Sequence, residues 1–501
     1  MDIKKYLQNL DWWLVGAVCL LSLFGLICIA SATRINLGES PANVIKQGVF
    51  FLIGIALMVI AANADYEYIS QFTIPLYIVN ILLLVTVLLV GSESKGATRW
   101  IALGPLTIQP SEFAKVIMIF CLAKVITERQ KQISDLKTIG FLCIYTGIPL
   151  LLIQKQPALS ASLVLVAIFC IEIFIAGLDW RIIRNVLVVT VPIVALILFD
   201  VSREHPLFTD KILAEHQFNR ILSFVDPSRD PSLYYQTEKS ISAIGSGKFL
   251  GKGLFHGTLN QLSYLPEPHN DFIFSVIGEE FGFLGCIFVL AILLFIVFRC
   301  IVIAISARDT FSQLVAAGIA GMFAFQTFVN MGVATGILPN TGMSLPFVSY
   351  GGSSMWTNMV ALGLMLKIKK KETKSLAHDN KKKLMENLCI AYRHILCKHD
   401  IYATGTTGRL VEEAANLVVH KYLSAHLGGE QQMGAQIINN DIDLMIFLRD
   451  PVSPHAYESE VNSILHLCDM HNIPLATNLA TAEVLLLALD RGDLDWRNVM
   501  R

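Results

Sequence analysis

Ten stretches of nearly unbroken apolar sequence constrain this chain more than anything else in it. They lie near 13–32, 46–63, 73–91, 113–126, 138–153, 159–177, 183–200, 272–298, 311–335 and 345–368, the fourth and fifth being the shortest. A bilayer core takes roughly 20 apolar residues of helix to cross. Inside it each backbone N–H and C=O needs a partner within the segment, so stretches of this kind fold as helices. Over 501 residues, 54% are hydrophobic, and the mean hydropathy is +0.57, too apolar for a water-soluble chain of this size. The first stretch has no small-residue cleavage site after it and reads as a span, not a removed leader.

The basic residues of the short connections sort to one side. Lys4 and Lys5 precede the first stretch, Arg129, Lys131 and Lys137 follow the fourth, and Arg181 and Arg184 the sixth. Arg299 and Arg308 follow the eighth, and Lys367 and Lys369 to Lys371 the tenth. Ten spans put all of these on one face. The positive-inside rule makes that face cytoplasmic, along with both ends of the chain. The long segment 201–271 then lies outside. All ten Cys fall in apolar stretches, at their cytoplasmic ends or in the C-terminal portion, so buried free thiols are expected and no disulfide framework. With 16% charged residues and a formal net charge of −1, there is no basic surplus to displace counterions, and nucleic acid is not an expected partner.

Chemistry is concentrated where polar residues interrupt the apolar pattern. Lys95-Gly-Ala-Thr-Arg-Trp100 leads into Gln109-Pro-Ser-Glu-Phe-Ala-Lys115. Glu112 and Lys115, three apart, share one helix face. They suit either a structural ion pair or a functional one. The outer segment holds Arg220-Ile-Leu-Ser-Phe-Val-Asp226, Ala243-Ile-Gly-Ser-Gly247, Gly251-Lys-Gly253 and His256-Gly-Thr258. Glycines beside Lys252 suit a backbone approaching a phosphate. Glu267, His269 and Asp271 stand at the mouth of the eighth span, where Asp271 fits a general base or, equally, a helix cap with Asn270. Gly278-Glu-Glu280 puts two carboxylates inside an apolar helix, which need partners or a polar cavity. Gly336-Ile-Leu-Pro-Asn-Thr-Gly342 and Leu345-Pro-Phe-Val-Ser-Tyr-Gly-Gly-Ser-Ser354 fit re-entrant backbone lining a cavity.

In this order the motifs of residues 10–370 resemble the SEDS family of peptidoglycan glycosyltransferases, its RodA branch above all, through Gly257-Thr-x-x-Gln-Leu. The resemblance implies a mostly α membrane protein of about ten transmembrane helices with the SEDS fold, over 1–370. It implies a multi-pass protein of the bacterial inner membrane that polymerises lipid II for cell elongation, beside a class B penicillin-binding protein and the elongation machinery. It places the essential base at Asp271. Lys95, Arg99, Glu112, Lys115, Lys252, Glu267 and His269 are then candidates to contact lipid II. The departing pyrophosphate calls for cationic or divalent-metal neutralisation. Two departures stand out: Ala158 in Gln156-Pro-Ala-Leu-Ser-Ala161 where the family has an acid, and Asn270 where it has Thr.

Residues 371–501 follow other rules. Asp400–Thr404, Ile442–Leu448 and Leu475–Thr477 read as short buried strands, with amphipathic helices over Leu410–His420 and Val461–Met470. That alternation predicts an α/β domain with a parallel sheet. Thr404-Gly-Thr-Thr407 follows a strand and opens a helix, an anion-binding arrangement or a plain cap. Ala377-His-Asp, Tyr402-Ala-Thr-Gly-Thr-Thr-Gly408, Gly428-Gly-Glu-Gln-Gln432, Asp450-Pro451 and Ala476-Thr-Asn resemble methylglyoxal synthase. The resemblance implies conversion of dihydroxyacetone phosphate to methylglyoxal and phosphate without a cofactor, and a homo-oligomer formed through this domain. Lys382, Thr404, Gly405, Thr406, Thr407 and Ser424 would cradle phosphate, His378, Asp450 and His455 would contact substrate, and Glu430 would be the base. Departures fall at the chemistry. Glu430 replaces the usual Asp, Ser424-Ala-His426 replaces Ser-Gly-Pro, and Pro454-His455 comes two residues early, leaving Tyr457 in its place. A lipid II flippase, or a scaffold with a phosphate-sensing C-terminal domain, are the competing readings.

Overall fold

The computed structural model describes residues 11–33, 42–64, 66–94, 97–103, 106–156, 158–203, 206–209, 213, 215–229, 231–262, 264–265, 268–307, 309–377, 380–423, 429–448, 458–494 and 496. The chain divides into two compact units, Met1–Thr373 and Lys374–Arg501.

Among the described residues of the first unit, ten helices reach 17 residues or more. They are α1 (Trp12–Ala32), α2 (Ala42–Asn63), α3 (Thr73–Val90), α4 (Pro110–Glu128), α5 (Leu136–Lys155), α6 (Leu159–Ile175), α7 (Trp180–Val201), α10 (Ile273–Ser306), α11 (Thr310–Ala334) and α12 (Gly352–Ala377). Seven are long and apolar enough to cross a membrane by length and composition. Of the rest, α6 is apolar but only 17 residues long, and α4 and α12 carry charges. Helix α4 starts earlier than its apolar stretch, with Pro110 in its first turn, where a missing N–H costs nothing. Glu112 and Lys115 therefore sit inside a helix. The last span starts at Gly352, later than the apolar pattern suggested, because residues 345–351 are irregular. Phe347 there takes a left-handed φ of 64°.

Burial separates the helices. In α11, 72% of the apolar window is enclosed, and in α7 none of it is. Helix α11 is the centre of the bundle and α7 its outlier. Two helices of the segment 201–271, α8 (Glu215–Val225) and α9 (Pro231–Ser246), and a small antiparallel sheet of β1 (Ser92–Ser94), β2 (Ala97–Leu103) and β3 (Leu106–Ile108) also belong to this unit. Burial does not extend to every thiol: Cys143, Cys170 and Cys397 are exposed. The first two lie on α5 and α6, where an exposed thiol meets lipid as an apolar group would.

Helix α10 is broken at Gly282, whose φ of 64° and ψ of −159° are not helical. The loop 248–253 repairs the break. Lys252 N–H donates to Glu279 O (3.0 Å) and Gly253 N–H to Glu280 O (2.9 Å), while Phe283 N–H donates to Lys248 O (2.9 Å) and Leu284 N–H to Phe249 O (3.3 Å). The backbones lie so close that a Cβ on Gly251 would stand 2.1 Å from Glu280 O, and one on Gly282 2.3 Å from Gly251 N. The glycines of this loop thus approach a helix, where the sequence suggested a phosphate.

The second unit contains α13 (Asn380–Ala391), β4 (Ile401–Thr404), α14 (Gly405–Ala415), β5 (Val419–Tyr422), α15 (Gly429–Ile438), β6 (Met445–Ile446), α16 (Glu458–Met470), β7 (Leu475–Ala476) and α17 (Leu479–Asp490). β4 pairs β5 and β6 pairs β7, both in parallel. The helix expected over Leu410–His420 stops at Ala415. Asn416 takes the left-handed conformation that ends helices, and Val419–Tyr422, rich in β-formers, becomes a strand. Ile437, Cys468 and Ile473 form one apolar centre with Met433 and Met445, and Cys389, Ala403, Val411 and Val419 form another.

Candidate functional site

The turn before α10 carries His269, Asn270 and Asp271. Three neighbours hold its backbone. Ser349 Oγ donates to Asn270 O (2.7 Å) and Tyr350 N–H to His269 O (2.9 Å), with the Ser349 hydroxyl itself fixed by Leu345 N–H (2.8 Å). From α11, Asn330 Nδ2 donates to Asp271 O (3.0 Å) and to Met343 O (2.6 Å). The helix cap falls to Phe272, so Asp271 stands one residue ahead of it. Gly342, at φ 69°, is so close that a Cβ there would lie 3.4 Å from Asp271 Oδ2. The tyrosine ring of Tyr350 meets His269 edge-on at 5.5 Å between centroids.

Two arginines lie within electrostatic reach of this carboxylate. Arg220, in the middle of α8, donates through Nη1 to Thr341 O (2.9 Å). Arg99, on β2, donates through Nε to Gln156 O (3.2 Å). Burial pulls the Arg99 guanidinium below its ordinary pKa, Arg220 adds to that, and the Asp271 carboxylate opposes both. The same burial acts on Arg220, again opposed by Asp271. An arginine keeps its proton through such shifts. The result is a carboxylate with two half-buried cations, on a platform locked from three sides. Gln156 is buried and donates on to Leu84 O (2.9 Å), and two residues along, Ala158 takes the α6 cap position with no side-chain cap bond.

Helix α4 carries a buried pair of its own. Lys115 Nζ lies 2.8 Å from Glu112 Oε2, at 2% and 12% side-chain exposure. One residue before this helix, Gln109 N–H donates to Ser353 Oγ (2.9 Å). Gln47 of α2, also buried, accepts from Gly351 N–H (3.1 Å).

Lys252 belongs elsewhere. Its ammonium donates to Glu279 Oε1 and to Thr258 Oγ1, each at 2.6 Å. Glu279, fully buried, also accepts from Leu259 N–H (2.9 Å) and Asn260 N–H (3.2 Å). Glu280 accepts from Ser31 Oγ at 2.5 Å. Glu279 lies eight residues past Asp271, roughly 12 Å along a helix. The structure thus places Arg99 within electrostatic reach of the His269–Asp271 turn, joins the start of α4, not its Glu112–Lys115 pair, to Ser353 of α12, and keeps Lys252 as a clamp. Lys95 and Glu267 lie outside the described residues.

Sequence reasoning quoted Arg220 without giving it a role, and passed over Asn330 and Gln47. The available signal was an amide inside an otherwise apolar span, which needs a partner.

In the second unit the strand-to-helix junction is where the pattern placed it. Thr404 ends β4 and Gly405, Thr406 and Thr407 open α14. The Thr404 hydroxyl donates to Thr407 Oγ1 (3.4 Å). Gly405 N–H donates to Leu423 O (3.4 Å), and Leu423 N–H donates to Gln432 Oε1 (2.9 Å). These two bonds draw the end of β5 and the first turn of α15 up to the N-terminus of α14. Glu430 is on that first turn and Lys382 on α13. A Cβ on Gly408 would stand 2.6 Å from Lys421 Cγ, so glycine there lets helix and strand close together. His378, Ser424, Asp450 and His455 lie outside the described residues. Leu423 was not anticipated, since its contribution is backbone alone.

Ten long helices with a locked, arginine-flanked carboxylate define a multi-pass membrane protein with a polar site at the helix ends. The profile of the FtsW/RodA/SpoVE cell cycle proteins matches residues 11–374, and that of the MGS-like domain matches residues 385–477. A relative from Trichlorobacter lovleyi, a probable peptidoglycan glycosyltransferase FtsW, is 36% identical over 371 residues, 72% of this chain and 93% of its own. The peptidoglycan glycosyltransferase MrdB of Escherichia coli K12 is 33% identical over 361 residues, with the same two shares. A structure described as showing "structural coordination of polymerization and crosslinking by a peptidoglycan synthase complex" is 31% identical, with a TM-score of 0.61 over 72% of this chain and 98% of that one. The chain belongs to the FtsW/RodA/SpoVE family and carries an MGS-like domain behind its membrane unit.

Proposed function

We propose that the membrane unit is a peptidoglycan glycosyltransferase that polymerises lipid II, with Asp271 as its general base. The observation that carries this reading is the Asp271 carboxylate within electrostatic reach of Arg99 and Arg220 on a three-point platform. In the step, a sugar hydroxyl of one lipid II attacks the anomeric carbon of the growing strand. Its proton passes to Asp271, a new C–O bond forms, and the old C–O bond breaks with its electron pair going to the pyrophosphate. The arginines hold the pyrophosphate, already anionic in the bound lipid, through the step. Among the described residues no group of three or more His, Cys, Asp or Glu could hold a metal ion. A divalent cation would add to this neutralisation if carried in on the pyrophosphate oxygens, as magnesium commonly is; no step here depends on it. With purified full chain and lipid II, Asp271→Asn should abolish strand synthesis, and an undiminished rate overturns the assignment. Lipid II crossing vesicles without polymerisation would instead favour a flippase.

Both ends of the chain are assigned to the cytoplasm on the distribution of Lys and Arg. A class B transpeptidase is the proposed partner, supported by the synthase complex among the similar structures. The role proposed is wall elongation, on the Gly257-Thr258 motif and the likeness to MrdB, although relatives named FtsW are as similar. Depletion distinguishes them: rounded cells support elongation, filaments overturn it.

For the second unit we propose methylglyoxal synthase chemistry, supported by the junction at Thr404–Thr407 and its convergence with the Glu430 helix. Glu430 would take the α-proton of dihydroxyacetone phosphate, and the backbone N–H groups of the junction would hold the leaving phosphate. Methylglyoxal formation by the full chain, lost in Glu430→Gln, is the expected result. Saturable phosphate binding without turnover would make this unit a sensor.

A further inference from the structure

Helix α7 has only two buried residues, Asp200 and Val201, the last of its 22. Both fasten the outer segment. The Asp200 carboxylate accepts from Leu207 N–H (3.0 Å, Oδ1), Phe208 N–H (3.2 Å), Thr209 N–H (3.0 Å) and the Thr209 hydroxyl (2.9 Å), the last three at Oδ2. Val201 O accepts from Arg229 Nη1 (3.4 Å). A carboxylate at the negative end of a helix dipole is disfavoured, so the four donors must offset that cost, and the contact fixes the 207–209 turn. Segment 207–229 is thereby tied at both ends to the last turn of α7. In the middle of that segment is α8, and in the middle of α8 is Arg220, which reaches Thr341 O and lies within electrostatic reach of Asp271.

We infer that Asp200 is a positioning residue for Arg220, acting through the 207–209 turn to place the guanidinium that meets the pyrophosphate of the lipid substrate. The inference rests on the polymerase reading above. Five residues separate Thr209 from the start of α8, six Cα steps that span at most about 22 Å, so the turn's position limits where α8 can lie. Arg220 would follow the outer end of α7, a helix that encloses none of its apolar window.

The test is a double-mutant cycle in the full chain, reconstituted in liposomes with lipid II. Asp200→Asn should raise KM about tenfold, the equivalent of one charged contact, with kcat little changed. In an Arg220→Gln background it should add nothing. Arg229→Gln, which frees the other tie, should act in the same direction and more weakly. Additive losses in the double variant, or a fall in kcat at unchanged KM, overturn the inference. Binding of undecaprenyl pyrophosphate, measured alongside, separates the two readings. If the wild type makes no strands yet Asp200→Asn weakens that binding only while Arg220 is present, the polymerase reading fails and the positioning role stands. Unchanged binding in Asp200→Asn overturns the positioning role whatever the polymerase does.

Discussion

Two irregular segments of the membrane unit look alike in sequence and have been put to opposite uses. Residues 248–258 and 336–351 are both rich in glycine, both take left-handed conformations, and both accompany charged residues beside an apolar helix. In the first, the charges cancel internally: Lys252 on Glu279, and loop N–H groups on Glu279 and the carbonyls of α10. In the second, hydrogen bonds fix the backbone of His269–Asp271 while the Asp271 side chain lies within electrostatic reach of Arg99 and Arg220. A charged motif at membrane depth is structural when its partner lies in the same clamp. It is a candidate for chemistry when neighbours from separate elements clamp its main chain and cations from other elements act on its carboxylate.

That contrast can be broken experimentally. The largest effect is expected from Glu279→Ala, which leaves the Lys252 ammonium and two loop N–H groups without their acceptor. Breaking a buried pair costs about 3–5 kcal/mol, so thermal unfolding in detergent should drop steeply, and retention of the wild-type midpoint would contradict the clamp. Next come the paired changes Gly282→Ala and Gly342→Ala. Both positions have positive φ, which costs a non-glycine residue about 1–2 kcal/mol. Only at Gly282 does the new methyl also meet backbone, at 2.3 Å. Folded yield should therefore fall for Gly282→Ala and activity for Gly342→Ala; the reverse order would erase the distinction. Ser349→Ala removes the hydroxyl between Leu345 N–H and Asn270 O. It should cost about 1–3 kcal/mol for the group left unpaired and lower kcat more than it raises KM. The smallest change is Ala158→Asp. It restores an acid at an uncapped helix start near the carbonyl that Arg99 holds. A gain of about 1 kcal/mol in stability is expected from capping, and no gain would mean the site does not accept the charge.

The spans were legible because all-round apolar helices of about twenty residues have few alternatives in a bilayer. Their ends were less so. The α4 start lies among charges at Glu112 and Lys115, and the α12 start after a loop as apolar as the helix. In the second unit Val419–Tyr422 was hidden because the amphipathic pattern of α14 runs on past Asn416, and only the αL residue marks its end. Asp271, Arg99 and the Thr404–Thr407 junction could be found because their motifs are contiguous. The partner of Lys252 was not legible for the same reason: nothing local reveals that Glu279, 27 residues on, pairs with it. Arg220 and Asn330 reach the site across 121 and 59 residues to Thr341 and Asp271, a proximity that only the packing of α8 and α11 creates.

The repaired break in α10 also bears on how the chain is made. Residues 248–253 leave the ribosome before residues 279–284, which lean on them for four backbone hydrogen bonds. A helix emerging with Gly282 in its path has no intrinsic reason to kink in one direction rather than another. Here the four backbone bonds to 248–253 select one direction, and the strip that selects it precedes the helix in the order of synthesis.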